Sequence, residues 1–269
     1  MQNICLDVLK IIIHLLDDKE KMMMLSVSKE LNKFKMCFTY HKKTLINKIS
    51  ELDYFDNFES IRAIGIIEKF PSHAKSVHFD YLGWMGKSTE IPQSVTHLTF
   101  ANHFHFASSN MIPPSVTHAT IDQIFDWRSI WNSSITHLTI NTWVKSTIKY
   151  IPASVTHLTI HRFDDSIKNA IPRTVTHLTL NHNFGGCINY APLCTESLMT
   201  HLSFGDSFNG TIVNVIPQSV THLSFGYSFS SYLDNRMPQS VVEIKLHQTY
   251  NLPISNEIAS RVKIIKIDT

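Results

Sequence analysis

The stretch Ile91-Pro92-Gln93-Ser94-Val95-Thr96-His97-Leu98-Thr99-Phe100 constrains this chain most, because it returns at nearly fixed spacing. Aligned on its His, further copies centre on His118, His137, His157, His177, His201 and His222, in steps of 21, 19, 20, 20, 24 and 21 residues. Weaker copies flank them at Phe70–Phe79, Met237–Leu246 and Val262–Ile267, so about ten repeats run from residue 70 to residue 269. A period of this length marks a solenoid, in which each unit buries its apolar face only against its neighbours.

Within a unit the apolar residues sit at offsets −2, +1 and +3 from the His. Examples are Val95, Leu98 and Phe100, then Val155, Leu158 and Ile160, then Val220, Leu223 and Phe225. This L-x-x-L-x-L spacing is leucine-rich-repeat-like: a short strand with alternating inward residues, preceded by a bend. Offset +4 holds turn-prone types such as Asp122, Asn141, Gly205 and Gly226, and offset +7 is apolar again at Phe104, Phe125, Val144, Phe184, Phe208 and Phe229. The Pro at −5 suits an extended, polyproline-like return leg, and no helical periodicity intervenes. The last units depart from the rule. Thr-His becomes Val242-Glu243 and then Lys263-Ile264, and the outward Thr becomes Lys245 and Lys266. Such charges discourage edge-to-edge pairing.

The first fifty residues differ in kind. They carry nine Lys against five acidic residues, a balance of +4 in a chain of net charge +2, which leaves about −2 for the rest. The repeats are therefore not an electrostatic surface for nucleic acid or membrane. Residues 5–16 are apolar on several sides, with Leu6, Leu9, Ile13 and Leu16 on one and Val8, Ile12 and Leu15 on another, so this helix needs cover on more than one face. It contains Lys10 and His14, lacks the basic n-region and small-residue cleavage site of a signal peptide, and is too short to span a bilayer. Asp17 and Glu20 are spaced to cap a second helix, and Ser28 to cap a third carrying Leu31, Phe34 and Phe38. Residues 50–69 read as a connector, with a short helix from Asp56 or Asn57 to Ile61 or Ile64. The four Cys lack C-x-x-C spacing, which fits a reducing cytoplasmic or nuclear setting and no zinc site. The expected fold class is thus α+β, a helical module at 1–49, a connector at 50–69 and a β-solenoid of 19–24-residue repeats at 70–269.

Chemistry is scarce. Seven His in one column invite a metal reading, since imidazole is a common ligand. A straight ladder, however, points its rings in parallel and no carboxylate column backs it. The structural expectation is a stack bonded to the Thr hydroxyls at −1 and +2. No nucleophile motif, phosphate-cradling loop or acid pair is present, so no cofactor and no enzymatic role are expected. The uniform Thr-His face offers little to distinguish partners, whereas Trp127, Arg128 and Trp143 lie in loops that vary from coil to coil. They are the candidate contacts for a target protein, or alternatively fillers of the coil interior.

Two resemblances add to this reading. The pattern Ile4-Cys5-Leu6-Asp7-Val8-Leu9…Leu25-Ser26-Val27-Ser28-Lys29-Glu30-Leu31 resembles the F-box, with Ile4-Cys5 where that family usually has Leu-Pro. The units Phe204-Gly205-Asp206-Ser207-Phe208-Asn209 and Ile216-Pro217-Gln218-Ser219-Val220-Thr221-His222-Leu223 are similar to the FNIP repeat, found in amoebae and their giant viruses. The combination implies a substrate-recognition adaptor of a cullin-RING (SCF-type) ubiquitin ligase working in the cytoplasm, that of the host if viral. Residues 4–45 would dock on a Skp-type adaptor, through Ile4, Cys5, Leu6, Leu9, Leu25 and Val27, and the repeats would hold the target. The alternative is a solenoid scaffold with a helical cap and no ubiquitin role.

Overall fold

The computed structural model describes residues 6–80, 84–85, 90–101, 112–122, 134–144, 151–163, 171–181, 198–212, 214–234 and 236–268. Their framework is a parallel β-solenoid. One twelve-stranded sheet runs β1 (Thr44–Leu45), β2 (Ser60–Ala63), β4 (Ser76–Phe79), β6 (His97–Phe100), β7 (His118–Ile121), β8 (His137–Val144) and β9 (His157–Phe163). It continues through β10 (His177–Leu180), β11 (His201–Phe204), β12 (His222–Phe225), β13 (Glu243–His247) and β14 (Lys263–Ile267). A separate parallel pair joins β3 (Ile66–Ile67) to β5 (Trp84–Met85). About eight regular turns, from β6 to β13, are flanked by less regular strands.

Register follows the repeat. His97 pairs with His118, His118 with His137, and so on to His201 with His222, each Leu lying beside a Leu or Ala. The three apolar columns therefore coincide with the buried core, from Val95, Leu98 and Phe100 to Val241, Ile244 and Leu246. Burying one such side chain contributes roughly 1.5–3 kcal/mol. Beneath the later coils the offset +7 aromatics Phe208, Phe229 and Tyr250 form a second stack, with centroids 6.1 and 5.8 Å apart, and Phe208 and Phe229 pack on the offset +3 rings of Phe204 and Phe225 at 4.2 and 3.9 Å. Phe104, Phe125 and Phe184 lie outside the described residues.

Two motif residues acquire roles that periodicity does not reveal. The Pro carbonyl accepts the amide of the −2 residue, as in Val95 N to Pro92 O at 3.0 Å and Val220 N to Pro217 O at 3.1 Å. Each thus closes a turn that aims the chain into its strand. The Ser at −3 donates to the −2 carbonyl of the preceding coil, at 2.8 Å from Ser115 to Val95, Ser154 to Ile135 and Ser219 to Met199. This hydroxyl stitches one coil to the next.

The structure corrects the sequence reading in three places. Residues 60–63, expected as the end of a short helix in a connector, form β2 and pair with β4, because Ile61 and Ala63 continue the buried columns. The last coil contains a helix, α4 (Asn256–Arg261), capped by Ser255, although no helix was expected among the repeats. Lys266 is not in the outward +2 column: the register sets it beside Leu246, although in the last described strand it stays exposed. Its ammonium donates to the Tyr250 carbonyl and lies 5.1 Å from the centre of that ring. That exposure lets a charge stand in a column that is apolar in the earlier coils.

At the other end stand α1 (Leu6–His14), α2 (Asp18–Leu25), α3 (Lys29–Asn32) and a 3₁₀ turn over Lys33–Cys37. Asp17 and Glu20 form the expected reciprocal cap, and Ser28 caps α3 through Leu31 N at 3.1 Å. Leu9, Ile13, Leu25 and Phe38 make a small core separate from the solenoid's. A partly buried ion pair latches the module to the chain that enters β1: Lys21 Nζ donates to Asp18 at 3.2 Å, while Asp18 accepts the Lys42 amide at 2.5 Å. Lys21→Met keeps the packed stem and strands the Asp18 charge, so it should lower stability by roughly 2 kcal/mol in urea unfolding. A loss below a few tenths would mean the latch is not engaged.

Candidate functional site

Two surfaces offer themselves for recognition, the outer face of α1 and the outward face of the sheet. On α1, Leu9 and Ile13 turn inward, and among the described residues nothing covers the opposite side chains. Val8, Ile11, Ile12 and, just past the helix end, Leu15 stand exposed at i, i+3, i+4 and i+7, with Ile11 66% and Leu15 83% accessible. Met23 and Val27 are also exposed, Val27 at 75%. The expectation that this helix needs cover on two faces is thus met on one face only, and an apolar stripe of this spacing is the form in which helices dock into grooves.

The sequence-predicted contact residues divide. Val27 is accessible, whereas Leu9 and Leu25 are both 0% exposed and hold the module's own core, which corrects their assignment as partner contacts. Leu6 opens α1, but its side chain, with Ile4 and Cys5, lies outside the described residues, as do Trp127 and Arg128. Trp143 sits in β8, paired with Arg162 past a register shift, and its side chain too lies outside them. Ile11 and Met23 were not singled out from sequence, although the i, i+3, i+4, i+7 stripe was legible in residues 8–15.

The sheet face carries the His column. Seven imidazoles from His97 to His222 stack with centroids 4.1–4.3 Å apart and planes within 18° of parallel. Each Nδ1 lies 2.8–2.9 Å from the hydroxyl of the preceding Thr. That Thr carbonyl already accepts two amides of the next coil, as Thr96 O does from Thr117 at 3.0 Å and His118 at 3.1 Å. The hydroxyls of Thr136, Thr156, Thr176, Thr200 and Thr221 also lie 3.1–3.4 Å from that carbonyl of the preceding coil, so Nδ1 is their closer partner and Nε2 is the ring nitrogen left directed outward. Hydroxyls at +2 take no such part. Burial first, and neighbouring imidazoles second, hold His118, His177 and His201 below the ordinary histidine pKa, and His157 likewise. Parallel rings with Nδ1 occupied do not converge on one point, and among the described residues no group of three or more His, Cys, Asp or Glu could hold a metal ion. No described helix is long and apolar enough to cross a membrane.

Between the His column and the +2 column runs a groove of about 180 Å³ spanning β10–β13. It opens there because Thr179 is followed by Ser203 and Ser224, whose smaller side chains lower one wall.

The FNIP repeat model matches residues 197–228, the coils around β11 and β12. No curated protein matches the chain. Among solved structures, CroV588, a novel circular LRR protein, is 27% identical over 73% of this chain with a TM-score of 0.52. The match covers 34% of CroV588, so this chain spans about a third of that protein's length. LegL7, a leucine-rich-repeat-containing protein from Legionella pneumophila, is 16% identical, the match covering 77% of this chain and 81% of that one, with a TM-score of 0.46. The parallel register of the coils and the likeness to CroV588 give an LRR-like repeat solenoid.

Proposed function

We propose that this protein is a non-catalytic substrate-recognition adaptor of a cullin-RING ubiquitin ligase: the N-terminal helices bind a Skp-type adaptor in the cytoplasm, and the solenoid holds a target protein. The observation that carries the reading is the exposed stripe Val8, Ile11, Ile12 and Leu15, a partner-sized apolar face on a module with a core of its own. The F-box-like pattern of the same residues names the partner. The solenoid supports the second half, since stacked repeats present an extended surface and LRR-like folds commonly serve as interaction scaffolds.

A second reading, an interaction scaffold whose helices merely cap the solenoid, is favoured by the Asp18–Lys21 latch and by Tyr54, whose hydroxyl donates to Met22 Sδ at 3.8 Å. Binding separates the two. Ile11→Asp with Leu15→Asp should weaken Skp binding at least 100-fold in calorimetric titration while leaving helix content and melting temperature unchanged, because both side chains are exposed. Wild-type protein that does not bind Skp, or a variant that binds it equally well, would reject the adaptor role in favour of the scaffold.

A further inference from the structure

We infer that the groove over β10–β13 is a receptor for the free C-terminal tail of a protein partner, its terminal carboxylate meeting Lys245. The inference rests on the reading that the solenoid captures a protein target, and it names the segment captured.

The groove is lined mostly by side chains that can donate. Along one wall, His177, His201 and His222 direct Nε2 outward, since their Nδ1 atoms lie against the hydroxyls of Thr176, Thr200 and Thr221 at 2.8–2.9 Å. Along the other, Thr179, Ser203 and Ser224 add hydroxyls. The floor is the backbone at Leu178, Leu202 and Leu223, whose side chains point into the core. A surface that presents donors favours a ligand that presents acceptors, and the carbonyl row of an extended peptide is such a ligand.

The end of the groove decides which peptide. In the +2 column the small hydroxyls stop at Lys245, whose long side chain lines the end of the groove, and beyond it the column continues as Ile265. A chain lying along the groove meets that side chain. Glu243, also lining this end, is paired with Lys263 at 3.1 Å and feels the Lys245 charge as well, so two lysines against one carboxylate leave one net positive charge there. One cation after a row of neutral donors matches one terminal carboxylate after a row of peptide carbonyls. A nucleic acid or polyacidic segment would need more positive charge than this. Three strand-to-strand steps of about 4.8 Å make a channel roughly 14 Å long, enough for about four extended residues.

The test uses the full chain and a randomised seven-residue peptide library with free C-termini, the selected sequences being resynthesised as acid and as amide. Expected are selected peptides that bind at least ten-fold more tightly as the acid than as the amide, with Lys245→Glu abolishing the difference. Ser203→Tyr with Ser224→Tyr, which fills the channel from outward-facing positions, should remove binding. Should that variant unfold, the acid–amide ratio and Lys245→Glu, an exposed position, still decide. An empty selection, equal binding of acid and amide, or binders indifferent to Lys245→Glu would each overturn the proposal. The Ile11→Asp, Leu15→Asp variant should bind the peptides as the wild type does, so failure of Skp docking and failure of the groove are read separately.

Discussion

Gly226→Ala is expected to cost roughly 4 kcal/mol, a loss near the upper limit for a single methyl group. Gly226 leaves β12 at the point where one coil's backbone crosses the next, its amide donating to Phe204 O at 3.0 Å. A Cβ there would stand 2.6 Å from both Cα and N of Asp206 and 2.6 Å from its Oδ1. The side-chain oxygen could swing aside, but the backbone cannot. The Asp206 carbonyl is tied by the Ser228 amide at 2.9 Å, and the residues two before and two after it, Phe204 and Phe208, stack 4.2 Å apart. Urea unfolding measures the loss, with Gly65→Ala as the contrast. Gly65 has φ 77° and open space around its missing side chain, so alanine there incurs only backbone strain of about 1 kcal/mol. Equal losses at the two glycines would show that close approach of coils is not what requires glycine at 226.

Acid should destabilise the solenoid cooperatively. Four imidazoles of the column, His118, His157, His177 and His201, have depressed pKa values because burial and then neighbouring rings disfavour the charged form. The unfolded chain, with histidines near 6.5, takes up protons first as the pH falls. Stability is thus complete above about pH 6.5 and is lost as pH drops through that value towards the lower folded-state values. The melting temperature should fall by roughly 5 °C or more between pH 7.5 and 5.5. His177→Phe with His201→Phe keeps aromatic stacking without a titratable nitrogen, and should shrink that fall. A melting temperature flat across the interval would mean that the ladder takes up its protons without resisting them.

The coil interior was legible because every unit carries its own instructions. Val175, Leu178 and Leu180 repeat the choices of Val155, Leu158 and Ile160, and the observed register of β9 against β10 follows from them. The helix caps at Asp17 and Ser28 were legible for the same reason, since their bonds close within three residues. The docking face was legible only in part. An all-round apolar α1 shows that burial is demanded, but whether Leu9 or Ile11 meets the module's own core depends on how α2 and the Lys33–Cys37 turn pack, a contact among segments rather than a property of the helix.

By itself, then, the sequence determined a solenoid, its strand positions, its three inward columns and its uniform outer ladder of Thr and His, because one strand's alternation and one coil's turn are local matters of sterics and hydrophobicity. The tertiary structure decided everything that depends on the adjacent coil or on an end: the stitching hydroxyls of Ser115 and Ser154, the register that sets Lys266 beside Leu246, and the space withheld at Gly226. It also decided which ring nitrogen of the His column lies against the Thr hydroxyls, and the groove that ends at Lys245. Those features arise from distances between residues some twenty positions apart, which a repeat unit read alone does not contain.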